Sequence, residues 1–330
     1  MLQAESLVEV WRGPILESVH GGHVAVVDDS GQIVAEWGDP GQTILPRSSC
    51  KMVQALPLMI SGAADAAGLA PQQLALACAS HNGAPLHVPH VQSWLSDLSL
   101  SEQDLRCGPE PSRDKDLRHA MIRDGETPNQ THNNCSGKHS GFLTLSRHLR
   151  AGPEYLALDH PVQRAVLEAF EATTGETSPG HGIDGCSAPN FACSLRGLAR
   201  AMSKFASAEG CNTLSDAKLR LRQAMIAHPE LVAGEGRACT NLMRACEGRA
   251  AIKTGAEGVY VAILPERKLG IAIKIADGAT RAAETAITAL LVKFGALDAA
   301  HPVAQALLKA PVSNRRQIII GHVVPAQTLR

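Results

Sequence analysis

Aromatic side chains are scarce in this sequence: five Phe, three Trp and two Tyr make up 3% of the 330 residues. So thin a complement disfavours a surface that stacks nucleic-acid bases, where successive rings are needed. Net charge is equally small, with 31 basic and 32 acidic residues leaving −1 at pH 7. That balance offers no footprint for a polyanion or an anionic membrane. No apolar run approaches the ~20 residues that cross a bilayer. Met1 to Leu7 also lack a basic region followed by an apolar stretch. A cytoplasmic protein is expected, with neither nucleic acid nor membrane as partner. The nine cysteines are odd in number and include no C-x-x-C pair. In a reducing compartment they are thiols, most of them small buried apolar groups, with two available as metal ligands.

What is present is ordered by hydrophobic pattern. Val24–Asp29, a Ser30-Gly31 turn and Gln32–Glu36 read as a β-hairpin. Gly258–Leu264, the turn Pro265-Glu266-Arg267-Lys268 and Leu269–Ala276 read as a second. Together they predict an antiparallel sheet built from both chain ends, residues 20–37 and 251–277, packed against helices. The middle, 48–250, is then mostly helical, with apolar residues at helical spacing in 155–173, 193–207 and 214–228, and again in 280–294. The expected class is α/β in the α+β sense, as a single catalytic domain over 1–330 without an evident boundary. Pro/Gly-rich stretches at 38–46, 82–89, 178–189 and 233–236 read as active-site loops.

Three short motifs carry chemistry: Ser48-Ser49-Cys50-Lys51, Ser80-His81-Asn82 and Lys253-Thr254-Gly255. They reproduce, in order, the S-x-x-K, S-x-N and K-T-G pattern of penicillin-recognising serine hydrolases. A serine hydroxyl needs a base, and a lysine amine serves when burial or a neighbouring cation lowers its pKa. On a helix begun by Pro46, positions 48 and 51 share a face, which favours Ser48 over Ser49 as nucleophile. An isolated S-x-x-K is more often an N-cap and a surface cation. The other two motifs in order turn the reading toward an enzyme.

A second constellation has metal character. The loop His132-Asn133-Asn134-Cys135-Ser136-Gly137-Lys138-His139 leads into an apolar helix expected near Phe142, and His181-Gly182-Ile183-Asp184-Gly185-Cys186 is a similar loop. Two thiolates from separate loops suit zinc if His132, Lys138, His139 or His181 adds a third ligand. Packed cysteines in turns fit the spacing equally well. In His81, His87 and His90, the intervening prolines 85 and 89 oppose ligand presentation, so a loop covering the site is expected there instead.

At these residues the chain resembles the L-asparaginase II family, the Rhizobium-type or thermolabile asparaginases. The resemblance rests on Arg47-Ser48-x-x-Lys51, Ser80-His81-x-Gly83-x-x-x-His87, Asn134-Cys135-Ser136-Gly137-Lys138-His139-x-Gly141, Asp184-Gly185-Cys186-x-x-Pro189 and Lys253-x-Gly255-Ala256-Glu257-Gly258. It implies a serine β-lactamase and glutaminase-like fold, a homodimer, and hydrolysis of L-asparagine to L-aspartate and ammonia. It implies Ser48 as nucleophile with Lys51 as base, Ser80 and Lys253 as a neighbouring pair, and Cys135, Lys138 and Cys186 as zinc ligands. Arg47, His81, Asn134, His139, Asp184 and Gly255 are then substrate-binding. Two positions depart from the family: Ala84 stands where glutamate is frequent, and Ser187 where glycine is usual.

Three other readings compete. A glutaminase differs by one methylene of substrate. A penicillin-recognising hydrolase has no reason to carry the cysteine loops, and a non-catalytic zinc-binding protein does not need Ser48, Lys51, Ser80 and Lys253 together.

Overall fold

The computed structural model describes residues 4–330, which form two compact units. One unit comprises the chain up to Ser49, Cys193–Ser207 and Asn241–Arg330; the other comprises Cys50–Ala192 and Ala208–Thr240. Each is assembled from segments distant in sequence, which is why composition along the chain marks no boundary.

The first unit holds an eight-stranded antiparallel sheet. Its order is 310–313, 319–325, 5–12, 15–27, 269–275, 259–264, 251–254, with 33–37 also paired to 15–27. Both expected hairpins are present, with Val24 opposite Trp37 and Leu269 opposite Leu264. Val259–Leu264 is buried at every position, the pattern of a strand covered on both faces. The helices Leu195–Ala206 and Thr280–Lys293 pack on this strand and its neighbour Leu269–Ile275. Ser194 Oγ caps the first of them by accepting the Gly197 N–H at 2.9 Å.

The sheet is twice the size the two hairpins predict. Glu5–Arg12, Ala251–Thr254, Ala310–Ser313 and Ile319–Pro325 are the four further strands, and the outer half of Ile15–Val27 lengthens one already expected. Their signal is weak for physical reasons. Residues 15–19 are solvent-exposed and so need no apolar alternation, and Pro311 sits in an edge strand, where a missing N–H breaks no ladder.

The second unit is helical, built around Pro71–Ala77, Ser136–His148, Pro161–Thr174 and Thr213–Ala227. The last two match the expected periodic segments, and Asn212 Oδ1 caps the final one through the Ser215 N–H at 2.9 Å. Two expectations are corrected. The helix foreseen from Ser48 is instead a 3-10 turn, Arg47–Cys50, followed by the short helices Lys51–Gln54 and Leu56–Ile60. Pro57 has no N–H to give the Val53 carbonyl, so a continuous helix cannot form. Helix Ser136–His148 begins six residues before Phe142. Gly137 and Gly141 had masked its first turns, glycine being a poor helix former.

Among the described residues, no helix is long and apolar enough to cross a membrane.

Candidate active site

In the helical unit the motif residues meet around one buried amine. Lys51 is 1% exposed, and its Nζ donates to Ser80 Oγ at 2.9 Å, to Cys135 Sγ at 3.0 Å and to the Ala79 carbonyl. The amine thus has three hydrogen-bond partners. Ser80 therefore bonds to Lys51, the residue assigned as base to Ser48.

Cys135 stands at the N-terminus of helix Ser136–His148, so Lys138 and His139 follow on its first turn. Asn133 fixes that start, its Oδ1 accepting the Cys135 N–H at 2.8 Å while its Nδ2 donates to the carbonyls of Cys107 and Gly108. Lys138 Nζ donates to Cys186 Sγ at 3.1 Å, and Cys135 hydrogen-bonds the same sulfur. All three side chains are buried. Cys186 is held well below the usual thiol range by the hydrogen bond from Cys135, with the Lys138 charge assisting against burial. Cys135 is pushed up by that same bond and by burial. For Lys138, burial alone would lower the pKa, but the sulfurs of Cys186 and Cys135 raise it.

The groups expected to touch substrate divide. His81 is 1% exposed, and both ring nitrogens are engaged: Nδ1 accepts the Gly83 N–H at 3.0 Å and Nε2 lies 3.0 Å from Ser136 Oγ. It braces the Ser80 loop against the Cys135 segment instead of facing a ligand. Its ring stacks on His87, centroids 4.8 Å apart, and His87 Nε2 donates to the Glu230 carbonyl, so neither ring has a nitrogen to offer a metal. Asn134 is also held, its Nδ2 donating to Glu110 Oε2 at 2.6 Å and its Oδ1 lying 3.0 Å from Cys135 Sγ. His139 differs. Its Nδ1 lies 2.9 Å from the Tyr155 hydroxyl, which also accepts the Arg106 N–H. Its Nε2 is buried with no protein partner among the described residues. Burial, then the Lys138 charge, holds His139 neutral. Asp184 opens a turn in which Ser187 N–H bonds its carbonyl, and Ser187 takes φ +67°. The family's glycine at that position is thereby explained: it is a left-handed site.

In the sheet-bearing unit, Ser48 is half-buried on the 3-10 turn, directly after Arg47 at φ +54°. Ser49 is fully buried and gives its hydroxyl proton to the Pro46 carbonyl at 2.7 Å, which removes it as a rival nucleophile. Gly255 lies against this turn: a Cβ there would sit 2.6 Å from the Pro46 oxygen and 3.2 Å from Ser49 N. The third motif needs glycine because its strand touches the backbone that carries Ser48. Lys253 is fully buried, with Nζ donating to the Thr254 carbonyl at 2.8 Å.

Glu110, Asn133 and Tyr155 support the site and were not assigned a role from sequence: Glu110 lies in a segment without motif or period, Asn133 sits in the Cys135 loop, and Tyr155 opens the periodic segment 155–173.

No curated protein matches the sequence. Several solved structures are similar at low identity. "Crystal Structure Analysis of Mglu" is 12% identical with a TM-score of 0.49, covering 89% of this chain and 72% of that one. Mglu in its glutamate form is 14% identical with a TM-score of 0.46, and the match covers 84% of this chain but only 61% of that one. A β-lactamase/D-alanine carboxypeptidase from Pseudomonas syringae is 11% identical with a TM-score of 0.43, covering 85% and 94%. A model of the L-asparaginase II family matches residues 8–325, a span that takes in every motif described above. The chain belongs to the L-asparaginase II family.

Proposed function

We propose that the protein hydrolyses the side-chain amide of L-asparagine, giving L-aspartate and ammonia. Family membership supports an amidohydrolase. The observation that carries the reading to a mechanism is a buried lysine amine 2.9 Å from a serine hydroxyl.

In this mechanism Ser48 is the nucleophile. As its oxygen bonds to the amide carbon, its proton passes to Lys51 once that amine has released one of its own, and the carbonyl oxygen takes the negative charge. Collapse of the tetrahedral intermediate breaks the C–N bond, and protonated nitrogen leaves as ammonia. Water then adds to the β-aspartyl ester, displacing Ser48 and yielding aspartate. Ser80, bonded to Lys51, relays protons.

Cys135, Lys138 and Cys186 fit zinc: two sulfurs and an amine, all buried, with Cys135 and Lys138 each hydrogen-bonded to Cys186. No three His, Cys, Asp or Glu residues form such a group among the described residues, so lysine must complete this one. When bound, zinc would supply a fixed positive charge that orders the Cys135 and Cys186 segments beside Lys51. The chain's own groups do the rest, Asn133 and Glu110 fixing the Cys135 segment. A cytoplasmic homodimer is proposed on the same basis, and light scattering of the eluting protein tests the dimer.

The deciding experiment is ammonia release from L-asparagine and from L-glutamine at equal concentration. Release from asparagine, lost in Ser48→Ala, is expected. Release only from glutamine assigns a glutaminase, and wild-type turnover by Ser48→Ala removes Ser48 from the chemistry.

A further inference from the structure

Two sulfurs meet beside the Lys51 amine. Cys135 and Cys186 are hydrogen-bonded to each other, so their side chains are in contact. Each also accepts from a buried amine: Lys51 Nζ lies 3.0 Å from Cys135 Sγ, and Lys138 Nζ lies 3.1 Å from Cys186 Sγ. A cation against a sulfur favours the thiolate, the form that attacks an oxidant.

The two cysteines differ in how firmly they are held. Cys135 opens the helix Ser136–His148, and its N–H is fixed by Asn133 Oδ1 at 2.8 Å. Cys186 sits at the tip of a two-stranded ribbon, His181–Ile183 paired with Pro189–Phe191, which is separate from the eight-stranded sheet. Its neighbours Gly185 and Ser187 are exposed, and a Cβ on Gly185 would meet nothing within 4 Å. The tip therefore has room to carry the Cys186 sulfur the short way to bonding range, about 2 Å.

We propose that Cys135 and Cys186 form a reversible disulfide that switches the enzyme off, with a small peroxide as oxidant. The bond itself stands on the sulfur geometry; its effect on turnover rests on the amidohydrolase reading above. With hydrogen peroxide, the Cys186 sulfur attacks one oxygen and breaks the O–O bond, giving a sulfenic acid and a hydroxide that takes up a proton as water. The Cys135 sulfur then gives up its proton, attacks the Cys186 sulfur and displaces the second oxygen as water. Two thiols lose two electrons, and one peroxide becomes two waters. A peroxide is smaller than the amino acid that must reach Lys51 and Ser80 in turnover, so burial of the pair does not bar it. The bond draws Cys135 away from Lys51, the amine that also holds Ser80. An ångström of displacement there can cost about a hundredfold in rate.

The test uses the full chain as purified, with the exposed Cys211 removed by Cys211→Ser so that it neither competes nor cross-links. Exposure to hydrogen peroxide should yield an unreduced peptide pair joining Cys135 to Cys186 and loss of two hydrogens from the intact mass. Ammonia release from L-asparagine should fall at least tenfold, and dithiothreitol should reverse both changes. Adding Cys186→Ser should abolish the linked pair and leave Cys135 open to alkylation. Absence of the pair, linkage of either sulfur to the nearby Cys107 instead, or full turnover by the disulfide form overturns the proposal and leaves the amidohydrolase reading standing. No ammonia from the unoxidised protein overturns the asparaginase reading and the switch of turnover with it, while the linked peptides still decide the bond.

Discussion

Lys51 Nζ lies 2.9 Å from Ser80 Oγ, across 29 positions of sequence and with both side chains buried. A proton can move between them without leaving the protein, so the two act as one unit. We predict that Ser80→Ala lowers kcat by about 10²- to 10⁴-fold, the range of general acid–base catalysis. Lys51→Met should cost at least as much. The double variant should be no slower than Lys51→Met alone, because a relay broken once has nothing further to lose. Multiplying losses in the double variant would show that they act separately.

Gly255 makes a second, steric link to the chemistry. A methyl group there would stand 2.6 Å from the Pro46 oxygen, which backbone cannot yield without moving the turn that presents Ser48. Gly255→Ala is predicted to reduce kcat at least tenfold, since an ångström of misplacement can cost about a hundredfold. The KM for asparagine and the fold should change little. A variant with full kcat would show that the turn has slack.

How much of this was legible follows from what fixes each residue. Ser48, Lys51, Ser80 and Lys253 stand out in the sequence because their three motifs occur together in one order. The partnering of Lys51 with Ser80 was not legible, since the tertiary placement of Lys51 against Ala79 and Ser80 sets it rather than the i, i+3 spacing to Ser48. His81 read as a ligand-facing group, yet both nitrogens are spent on Gly83 and Ser136. Only coordinates reveal such bookkeeping. The 233–236 loop was flagged by composition, but the orientation of Arg237 depends on Asn82, about 150 residues away. The missing strands at 5–12 and 319–325 are partly exposed and lack clean alternation.

Ser187 occupies φ +67° where the family usually has glycine. A left-handed L-residue costs about 1–2 kcal/mol, and glycine loses part of that gain to unfolded-state entropy. Ser187→Gly should therefore stabilise the protein by up to about 1 kcal/mol, read as a higher urea midpoint at unchanged slope. Ser187 is solvent-exposed, so no packing is lost. A lower midpoint would mean the serine hydroxyl does something the backbone angle hides.

Zinc content tests the sulfur–amine group independently of turnover. Cys186 is hydrogen-bonded by Cys135 and Lys138, which favour its thiolate, and a metal would replace those hydrogen bonds with coordination. Elemental analysis should find one zinc per chain, falling at least tenfold in Cys186→Ser and Cys135→Ser at equal free zinc. Lys138→Met should also lose metal, because the amine completes the donor set. Full zinc in all three variants would place the ion elsewhere.

The stacked pair His81 and His87 sets an acid limit on stability. His87 Nδ1 accepts the Ala84 N–H at 3.3 Å, and its Nε2–H donates to the Glu230 carbonyl at 2.9 Å. Ser136 Oγ gives its own proton to the Thr131 carbonyl, so it receives the His81 Nε2–H. Both rings are thereby neutral, with Nδ1 already accepting a backbone proton. Burial lowers both pKa values, with a charge on His87 further opposing protonation of His81 and a charge on His90 that of His87. Below about pH 6.5 the unfolded chain binds protons there that the native state refuses. Stability is thus full above that pH and falls as pH drops toward the lowered folded values, by at most about 1.4 kcal/mol per unit for each ring. The urea midpoint should fall between pH 7.5 and 5.5. His87→Gln keeps a donor for Glu230 and an acceptor for Ala84 but cannot titrate, so its midpoint should fall less over the same interval. An identical fall in variant and parent would move the acid sensitivity to other groups.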